Sequence, residues 1–162
     1  MAKLSKNVAT PEALADDVEI QAPLDSALDE LIGYAMRRAQ LKLFQNLISQ
    51  LAPHDLRPAQ FSALAIIEQH PGLMQSDLAK ALAIEPPQVV PLLNKLEERA
   101  LAVRVRCKPD KRSYGIFLSK TGETLLKELK LIAAESDMDA TSALDSQERE
   151  ELLRLLKKVY QA

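Results

Sequence analysis

Between residues 103 and 108 the apolar residues of this chain change from helical spacing to strict alternation. The segment reads Val-Arg-Val-Arg-Cys-Lys, which predicts a half-buried strand with one apolar and one cationic face. Pro109-Asp110-Lys111-Arg112 supplies turn residues, and residues 114–118 return as the partner strand. We expect the apolar set to face the core and the cationic set to face solvent; the apolar set is Val103, Val105 and Cys107.

Helical spacing prevails on both sides of this hairpin. Helices are predicted from Pro23 to about Ala52, from Arg57 to His70, from Gln75 to Leu82, from Pro86 to Ala100, from an N-cap at Ser119 to about Asp139, and from an N-cap at Asp145 or Ser146 onward. This order predicts a mainly α fold with a small β-hairpin. The predicted architecture is a winged helix-turn-helix with long N- and C-terminal dimerisation helices.

The first long helix predicts a homodimer because it lacks a polar face. Projected at 100° per residue, its apolar side chains surround nearly the whole circumference. At 1.5 Å per residue the helix is roughly 40 Å long, which is more than one small domain can cover. A second copy of the chain is the simplest source of the missing cover.

Positive charge is concentrated in the middle of the chain. Residues 71–120 hold nine Lys and Arg against five Asp and Glu, a net charge of +4, whereas residues 1–30 carry −5 and residues 121–162 carry −3. A basic module in an acidic frame suits a polyanionic partner. Polar residues interrupt every apolar stretch, and the N-terminal residues lack the apolar core of a signal peptide, so we expect a cytoplasmic protein without a membrane span.

Residues 75–99 have the pattern of a helix-turn-helix, whose second helix enters the DNA major groove with its N-terminal residues first. Gln88 is the predicted base reader, because its amide can donate and accept at adenine; a merely solvated Gln88 is the alternative. Contacts with the DNA backbone are expected from residues of both helices, namely Gln75, Ser76, Lys80, Asn94, Lys95 and Arg99.

The predicted hairpin carries the strongest indication of DNA binding. Cations that share one strand face repel one another, and surface ion pairs contribute only ~0–1 kcal/mol to folding. A polyanion relieves that repulsion and releases counterions. At the tip, Asp110 is expected to accept backbone hydrogen bonds or to pair with Arg112 and aim its guanidinium. The predicted contacts are Arg104, Arg106, Lys108, Asp110, Lys111 and Arg112; a solvated strand face is the alternative.

Several motifs together resemble the MarR family of transcriptional regulators. Asp110-Lys111-Arg112-Ser113, followed by Leu118-Ser119-Lys120-Thr121-Gly122, looks like that family's wing signature. Residues 92–104 (LLNKLEERALAVR) resemble its recognition-helix exit, and residues 33–45 (GYAMRRAQLKLFQ) resemble its opening helix. The resemblance runs from about Leu28 to Tyr160. It implies a triangular homodimer with the first, fifth and sixth helices at the interface, and it places Arg112 in the minor groove.

The chain departs from the family pattern at four places. Ala100 stands where the family often has a glycine, and Met74 stands where a Ser or Thr often caps a helix. Pro86-Pro87 opens the recognition helix, and Pro91 inside it removes a backbone hydrogen bond. Prolines cannot read bases by hydrogen bonding, so Pro87 is expected to make apolar contacts, for instance with thymine methyls, or Gln88 and the wing carry more of the recognition.

The resemblance implies a repressor that binds a pseudo-palindromic operator in double-stranded DNA and is released by a small aromatic carboxylate, phenol or acyl-CoA. By analogy, the effector-binding candidates are Tyr34, Arg37, Arg38, Phe44, His54 and Phe61. The predicted segments are a flexible N-terminal arm (1–22), a dimerisation and ligand-crevice helix (23–57), the winged helix-turn-helix DNA-binding domain (58–118) and the C-terminal dimerisation helices (119–162).

Enzymatic, metal-binding and cofactor-binding functions find no support in the motifs. His54 and His70 are the only histidines and lack metal-ligand spacing, and there is no Gly-rich phosphate loop or nucleophile elbow. Cys107 is expected to point to the core by strand parity, where a thiol is usually inert rather than a redox switch. The alternative function is a winged-helix protein-interaction module, whose basic hairpin docks an acidic partner.

Overall fold

The computed structural model describes residues 27–106 and 114–161, and within them it contains six α-helices and one antiparallel hairpin. The helices are α1 (Ile32–Leu51), α2 (Pro58–Gln69), α3 (Gln75–Leu82), α4 (Pro86–Glu98), α5 (Lys120–Ala140) and α6 (Ser146–Tyr160), and the strands are β1 (Ala102–Arg106) and β2 (Tyr114–Leu118). Short 3₁₀ segments lie at Ala27–Glu30 and Ala52–His54. This order confirms the predicted winged helix-turn-helix.

The first long helix starts later than predicted. A 3₁₀ segment at Ala27–Glu30 precedes it, and α1 begins at Ile32. The carbonyl of Leu31 accepts hydrogen bonds from the backbone N–H groups of Tyr34 and Ala35, so Leu31 separates the two kinds of helix. Periodicity does not reveal this change, because both helix types bring residues three apart to the same side. The predicted start at Pro23 and the predicted arm, 1–22, lie outside the described residues.

The chain divides into two compact units. The first comprises residues up to Ser49 together with Ser136–Ala162, and the second runs from Gln50 to Glu135. In the first unit, the side-chain N–H of Asn46 on α1 donates to the backbone carbonyl of Ser136 at 2.7 Å and to its hydroxyl at 3.0 Å. Ser136 is buried on α5, so these bonds join the two helices within this unit.

Apolar surface remains exposed on the first unit. Ten of the fifteen exposed large hydrophobic residues among the described part of the chain belong to it, namely Leu28, Leu31, Ile32, Met36, Met138, Leu152, Leu153, Leu155, Val159 and Tyr160. Helix α6 contains no buried residue, although its N-terminus is fixed by reciprocal hydrogen bonds between Asp145 and Glu148. None of the described helices is long and apolar enough to cross a membrane.

The second unit has a conventional helix-turn-helix core. Residues of α2, α3, α4, β2 and α5 that repeat at helical or strand spacing are fully buried together, including Leu64, Ile67, Leu78, Val89, Leu93, Leu96, Ile116, Leu126 and Leu129. The faces that the sequence predicted for the two helices are confirmed, since Leu78 and Ala79 of α3 and Val89, Leu93 and Leu96 of α4 are buried. Leu82 and Leu92 are half-buried at the edge.

The hairpin is joined to the turn that follows α2. Gly72 donates from its N–H to the carbonyl of Ile116 at 2.7 Å, and Ile116 donates back to the carbonyl of Leu73 at 3.0 Å. Gly72 has a φ of +85°, which glycine adopts without the steric cost that a side chain would impose. A Cβ on Gly115 would lie only 3.0 Å from the carbonyl oxygen of Gly72. A glycine at each position therefore lets the turn lie against β2.

The end of α4 and the start of α5 meet at the carbonyl oxygen of Leu101. This oxygen accepts a hydrogen bond from the N–H of Ser119 at 3.1 Å, and a Cβ on Gly122 would lie 2.0 Å from it. The hydroxyl of Ser119 donates to the carbonyl of Ala100 at 2.5 Å and accepts from the N–H of Gly122 at 2.9 Å. The Ser119-to-Gly122 motif therefore connects two helices that lie on either side of the hairpin.

The predicted orientation of β1 is wrong. The strand register pairs Arg104 with Ile116, and Ile116 is fully buried, so the arginine face is the face next to the core. Val103 is 42% exposed and Val105 is 50% exposed. Alternation identifies two faces but not which one packs. An acceptor on α4, described below, offsets the cost of placing arginine there. Cys107 lies outside the described residues.

Replacement of Ala100, which lies just after the end of α4, by glycine should stabilise the fold. Ala100 has a φ of +53° within a Schellman motif, in which Leu101 N–H donates to Leu96 and Ala100 N–H donates to Glu97. This conformation costs a non-glycine residue roughly 1–2 kcal/mol. We expect Ala100→Gly to raise the free energy of unfolding by about 0.5–1 kcal/mol after the entropic cost of glycine, measured by urea denaturation at constant protein concentration.

The matched control is Ala134→Gly, which places glycine at an exposed position inside α5. It should lower the free energy of unfolding by about 1 kcal/mol. Equal destabilisation by both substitutions would contradict the account of Ala100.

Candidate nucleic-acid interface

The first helix of the motif, α3, presents a polar edge beside its buried face. Ser76 and Lys80 are exposed, and Gln75 is half-buried at the helix start. The Lys80 ammonium lies 3.5 Å from the carboxylate of Asp77, in a pair whose members are both largely exposed. Such a pair is weak, so it leaves Lys80 able to turn toward an anion. Met74, at the N-cap, makes no side-chain capping bond.

The second helix, α4, exposes one stripe of residues along its length. The stripe consists of Pro87, Val90, Pro91, Asn94, Lys95 and Glu98. Gln88, the predicted base reader, lies beside it and is half-buried. Its side-chain oxygen accepts a hydrogen bond from the backbone N–H of Glu85 at 3.1 Å. Bidentate reading of adenine requires the same oxygen as an acceptor, so the capping bond ties the side chain to Glu85 and already uses one of the two lone pairs of that oxygen.

Arg104 is held against α4 instead of lying on a solvated face. Its guanidinium donates to the carboxylate of Glu97 through Nε at 3.0 Å and also through Nη2. The backbone N–H of Arg104 donates to the same carboxylate at 3.0 Å. Nη2 donates further to the side-chain oxygen of Asn94 at 2.7 Å. Arg104 therefore links β1 to α4. Its expected contact with DNA stays a prediction.

The link is electrostatic as well as geometric. Hydrogen bonding to Arg104 holds the pKa of the Glu97 carboxyl below its usual range, although partial burial acts in the opposite direction. Hydrogen bonding to Glu97 likewise raises the pKa of Arg104. Both side chains are less than a third exposed, so water screens the pair less than it screens a surface pair. Sequence reasoning missed Glu97, because residues on different elements reveal no pairing until the hairpin is placed.

Arg106 remains an exposed cation on the same strand. Its Nε donates to the hydroxyl of Tyr114 at 2.8 Å, and its guanidinium lies 5.6 Å from the centre of the Tyr114 ring. The strand register places these two residues directly opposite each other. Tyr114 therefore orients Arg106 without neutralising it. The remaining predicted residues of the wing, Lys108, Asp110, Lys111 and Arg112, lie outside the described residues.

Arg99 is engaged within the protein, and its predicted contact with the phosphate backbone stays a prediction. Its guanidinium donates to the backbone carbonyl of Asp55 at 2.5 Å and to that of His54 at 2.7 Å. These carbonyls lie at the end of the Ala52–His54 3₁₀ segment, where backbone acceptors lack helical partners. Arg99 therefore caps that segment. Its position at the exit of α4 suggested a surface cation. The sequence did not reveal that Asp55 and His54, which precede Arg99 by 44 and 45 positions, lie next to it in space.

The six candidate effector residues are divided between the two units. Tyr34, Arg37, Arg38 and Phe44 belong to the first unit, and His54 and Phe61 belong to the second. Arg38 donates to the hydroxyl of Tyr34 at 3.3 Å and lies 5.9 Å from the centre of its ring. Arg37 is exposed, and Phe44 and Phe61 are half-buried. The imidazole of His54 lies 3.9 Å from Glu128. No metal-binding cluster of His, Cys, Asp or Glu occurs among residues 27–106 and 114–161.

Known proteins resemble this chain in sequence and in fold. A family model described as the MarR family matches residues 54–113. A Thauera aromatica protein named "Putative transcriptional regulatory protein for hcr operon" is 30% identical over 147 residues, which cover 85% of this chain and 89% of that protein.

Two solved structures of a transcriptional repressor, CouR, match over most of their length. The one bound to a 23-mer DNA duplex is 36% identical, with a TM-score of 0.80, and the match covers 86% of this chain and 99% of that chain. The one bound to p-coumaroyl-CoA is 35% identical, with a TM-score of 0.74, and covers 82% of this chain and 94% of that chain.

Removal of the Glu97 charge should destabilise the protein in a pH-dependent way. Because folding lowers the pKa of Glu97, its stabilisation is present above the usual carboxyl pKa and is lost as the pH falls through the lowered pKa. We expect Glu97→Gln to lower the free energy of unfolding by about 1 kcal/mol at about pH 7 and by much less at about pH 3, measured by urea denaturation.

Glu98→Gln is the matched control, since Glu98 is the exposed neighbour on the same helix. Its effect should be close to zero at both pH values. A Glu97→Gln effect of the same size at both pH values would contradict the charged link.

Proposed function

The chain belongs to the MarR family of transcriptional regulators, and on that premise we propose that it is a repressor that binds a pseudo-palindromic operator as a homodimer. A small aromatic effector would release it. Like its relatives, which are named as transcriptional regulators, the chain is a regulator and not an enzyme. The observation that carries the proposal is the second unit itself, in which a helix-turn-helix and a basic hairpin are held together by Glu97 and Arg104.

Exposed polar and cationic groups on the second unit support DNA as the partner. Lys80 on α3, Lys95 on α4 and Arg106 on β1 are all exposed, and each can reach a phosphate oxygen by a charge-assisted hydrogen bond. The predicted cations at the hairpin tip would extend the same surface. The CouR structure that resembles this chain at 36% identity is bound to a DNA duplex, which supports the same use of the fold here.

The exposed apolar residues of the first unit support a homodimer. They lie on the Ala27–Glu30 segment, α1, the end of α5 and α6, which agrees with the interface that the family resemblance implies. Large exposed apolar surfaces mark interaction sites in soluble proteins. A symmetric dimer presents two recognition helices, so its half-sites should lie one helical turn, about 10 bp, apart.

The effector is proposed to carry both an aromatic group and an anionic group. Between Ile32 and Leu51, α1 contains Arg37, Arg38 and Lys42 and no acidic residue, so this helix favours a carboxylate or phosphate. Tyr34 and Phe44 on the same helix offer aromatic contacts. The structure of CouR with p-coumaroyl-CoA supports an aryl-CoA, which combines the aromatic acyl group with several phosphates.

Loss of the wing-tip arginine should weaken operator binding. With a duplex selected from a random library of about 30 bp, we expect Arg112→Ala to reduce affinity by about 1–3 kcal/mol and to reduce the slope of log affinity against log salt by about 1. Gln88→Ala should reduce affinity for the selected sequence more than for random duplex. Both effects can be measured by gel shift over a salt series.

Lys127→Ala serves as the control, because it removes an exposed cation from α5. Unchanged affinity in both Arg112→Ala and Gln88→Ala would reject these residues as contacts. Absence of any salt-sensitive DNA binding by the wild-type protein would reject the proposed function and favour the protein-interaction module.

An aryl-CoA should stabilise the protein against heat and release it from DNA. At a ligand concentration of about 100 Kd, binding adds about 2.7 kcal/mol to the free energy of unfolding. We expect p-coumaroyl-CoA to raise Tm, whereas p-coumarate and CoA alone should do so less. Arg37→Ala should reduce the shift and Lys127→Ala should not. Equal shifts from CoA and p-coumaroyl-CoA would contradict an aromatic effector.

A further inference from the structure

The exposed stripe of α4 has an apolar half and a polar half. In the N-terminal half it consists of Pro87, Val90 and Pro91, and Val90 is 41% exposed. In the C-terminal half it consists of Asn94, Lys95 and Glu98. The second helix of a helix-turn-helix contacts base edges with its N-terminal residues. The apolar half is therefore the part of α4 that would lie deepest in a major groove.

Folding does not account for Val90 and Pro91, although a proline at position 87 suits the first turn of a helix. The buried face of α4 is supplied by Val89, Leu93 and Leu96. Pro91 lies inside the helix, where its missing N–H removes a backbone hydrogen bond. Val90 is β-branched, and such residues have lower helix propensity than alanine or leucine. Residues that disfavour a helix at their position and bring no benefit to folding are expected at functional sites.

The two amide side chains next to the apolar half use their oxygen atoms within the protein. Gln88 accepts from the N–H of Glu85, and Asn94 accepts from Arg104. In each amide the oxygen is thereby already engaged, and the NH₂ group remains as a possible donor. Amides whose oxygens are already engaged are less suited to the paired donor and acceptor contacts that identify adenine, and their NH₂ groups match acceptors such as thymine O4 or phosphate oxygens.

We propose that the first two turns of α4 recognise the C5-methyl groups of thymines in the operator, with Val90 as the specificity-determining residue between Pro87 and Pro91. This inference rests on the proposed DNA-binding function. The C5-methyl is the apolar group that base edges display in the major groove, and the minor groove lacks it. Contact between Val90 and such a methyl removes apolar surface of both partners from water.

Replacement of thymine by uracil tests the proposal without changing the protein. The full chain selects a duplex from a random library of about 30 bp, and the selected duplex is then synthesised with uracil or 5-bromouracil at each thymine in turn. We expect one uracil to lower affinity roughly fourfold, and one in each half-site roughly fifteenfold, from the loss of buried methyl surface. Bromine has the size of a methyl group, so 5-bromouracil should restore affinity.

The two hypotheses fail in different ways. Salt-sensitive binding that is unchanged, within about twofold, by uracil at every position would overturn methyl recognition and leave the proposed function standing. Absence of binding to every duplex would overturn both.

A conservative variant assigns the contact to Val90. Val90→Thr keeps the shape of the side chain and replaces a methyl by a hydroxyl, so the ratio of thymine to uracil affinities should fall toward one. Val103→Thr is the matched control, because Val103 is 42% exposed on β1 and outside α4. It should keep the wild-type ratio. Thermal unfolding verifies that both variants are folded, and an unchanged ratio in Val90→Thr would reject Val90 as the reader.

Discussion

The carbonyl oxygen of Leu101 is the point at which the second unit is held together. It accepts the N–H of Ser119, and α5 approaches it so closely that residue 122 has no room for a side chain. The end of α4, the first residue of the hairpin and the first turn of α5 all depend on this contact. Ala100 adopts a left-handed conformation beside it. This contact and the Glu97–Arg104 pair together fix the position of the hairpin relative to α4.

Charge then refines the arrangement. The net charge of +4 over residues 71–120 suggests one uniform cationic surface, but the arginines of that segment serve different purposes. Arg104 is paired with Glu97, and Arg99 caps backbone carbonyls. Arg106 is oriented by Tyr114 and stays exposed. A polyanion would therefore meet fewer available cations than the sequence count suggests. The placement of the arginines, rather than the total charge, determines how many of them an anion could reach.

Apolar residues show a parallel division. On α6 and α1 they remain exposed in a pattern that suits a second copy of the chain. On α4 they occupy the end that a helix-turn-helix inserts into DNA. Val103 and Val105 are exposed on the outer face of the hairpin, where the sequence had placed the cations. The role of an exposed hydrophobic residue on this chain therefore depends on the element that carries it and on which surfaces of that element are already buried.

The sequence by itself determined the order of the elements, and it located α3 and β2 to the residue. Periodicity and turn residues are local properties of the sequence, so the elements that they predict do not depend on which other elements pack against them. It also determined the buried faces of α3 and α4 and, through the wing and recognition-helix motifs, the family. Only the tertiary structure decided which face of β1 meets the core, that Glu97 binds Arg104, and that Arg99 caps a segment more than forty residues earlier. Those outcomes depend on which elements lie side by side, because an arginine can be partly buried only where a facing carboxylate or carbonyl offsets its desolvation penalty.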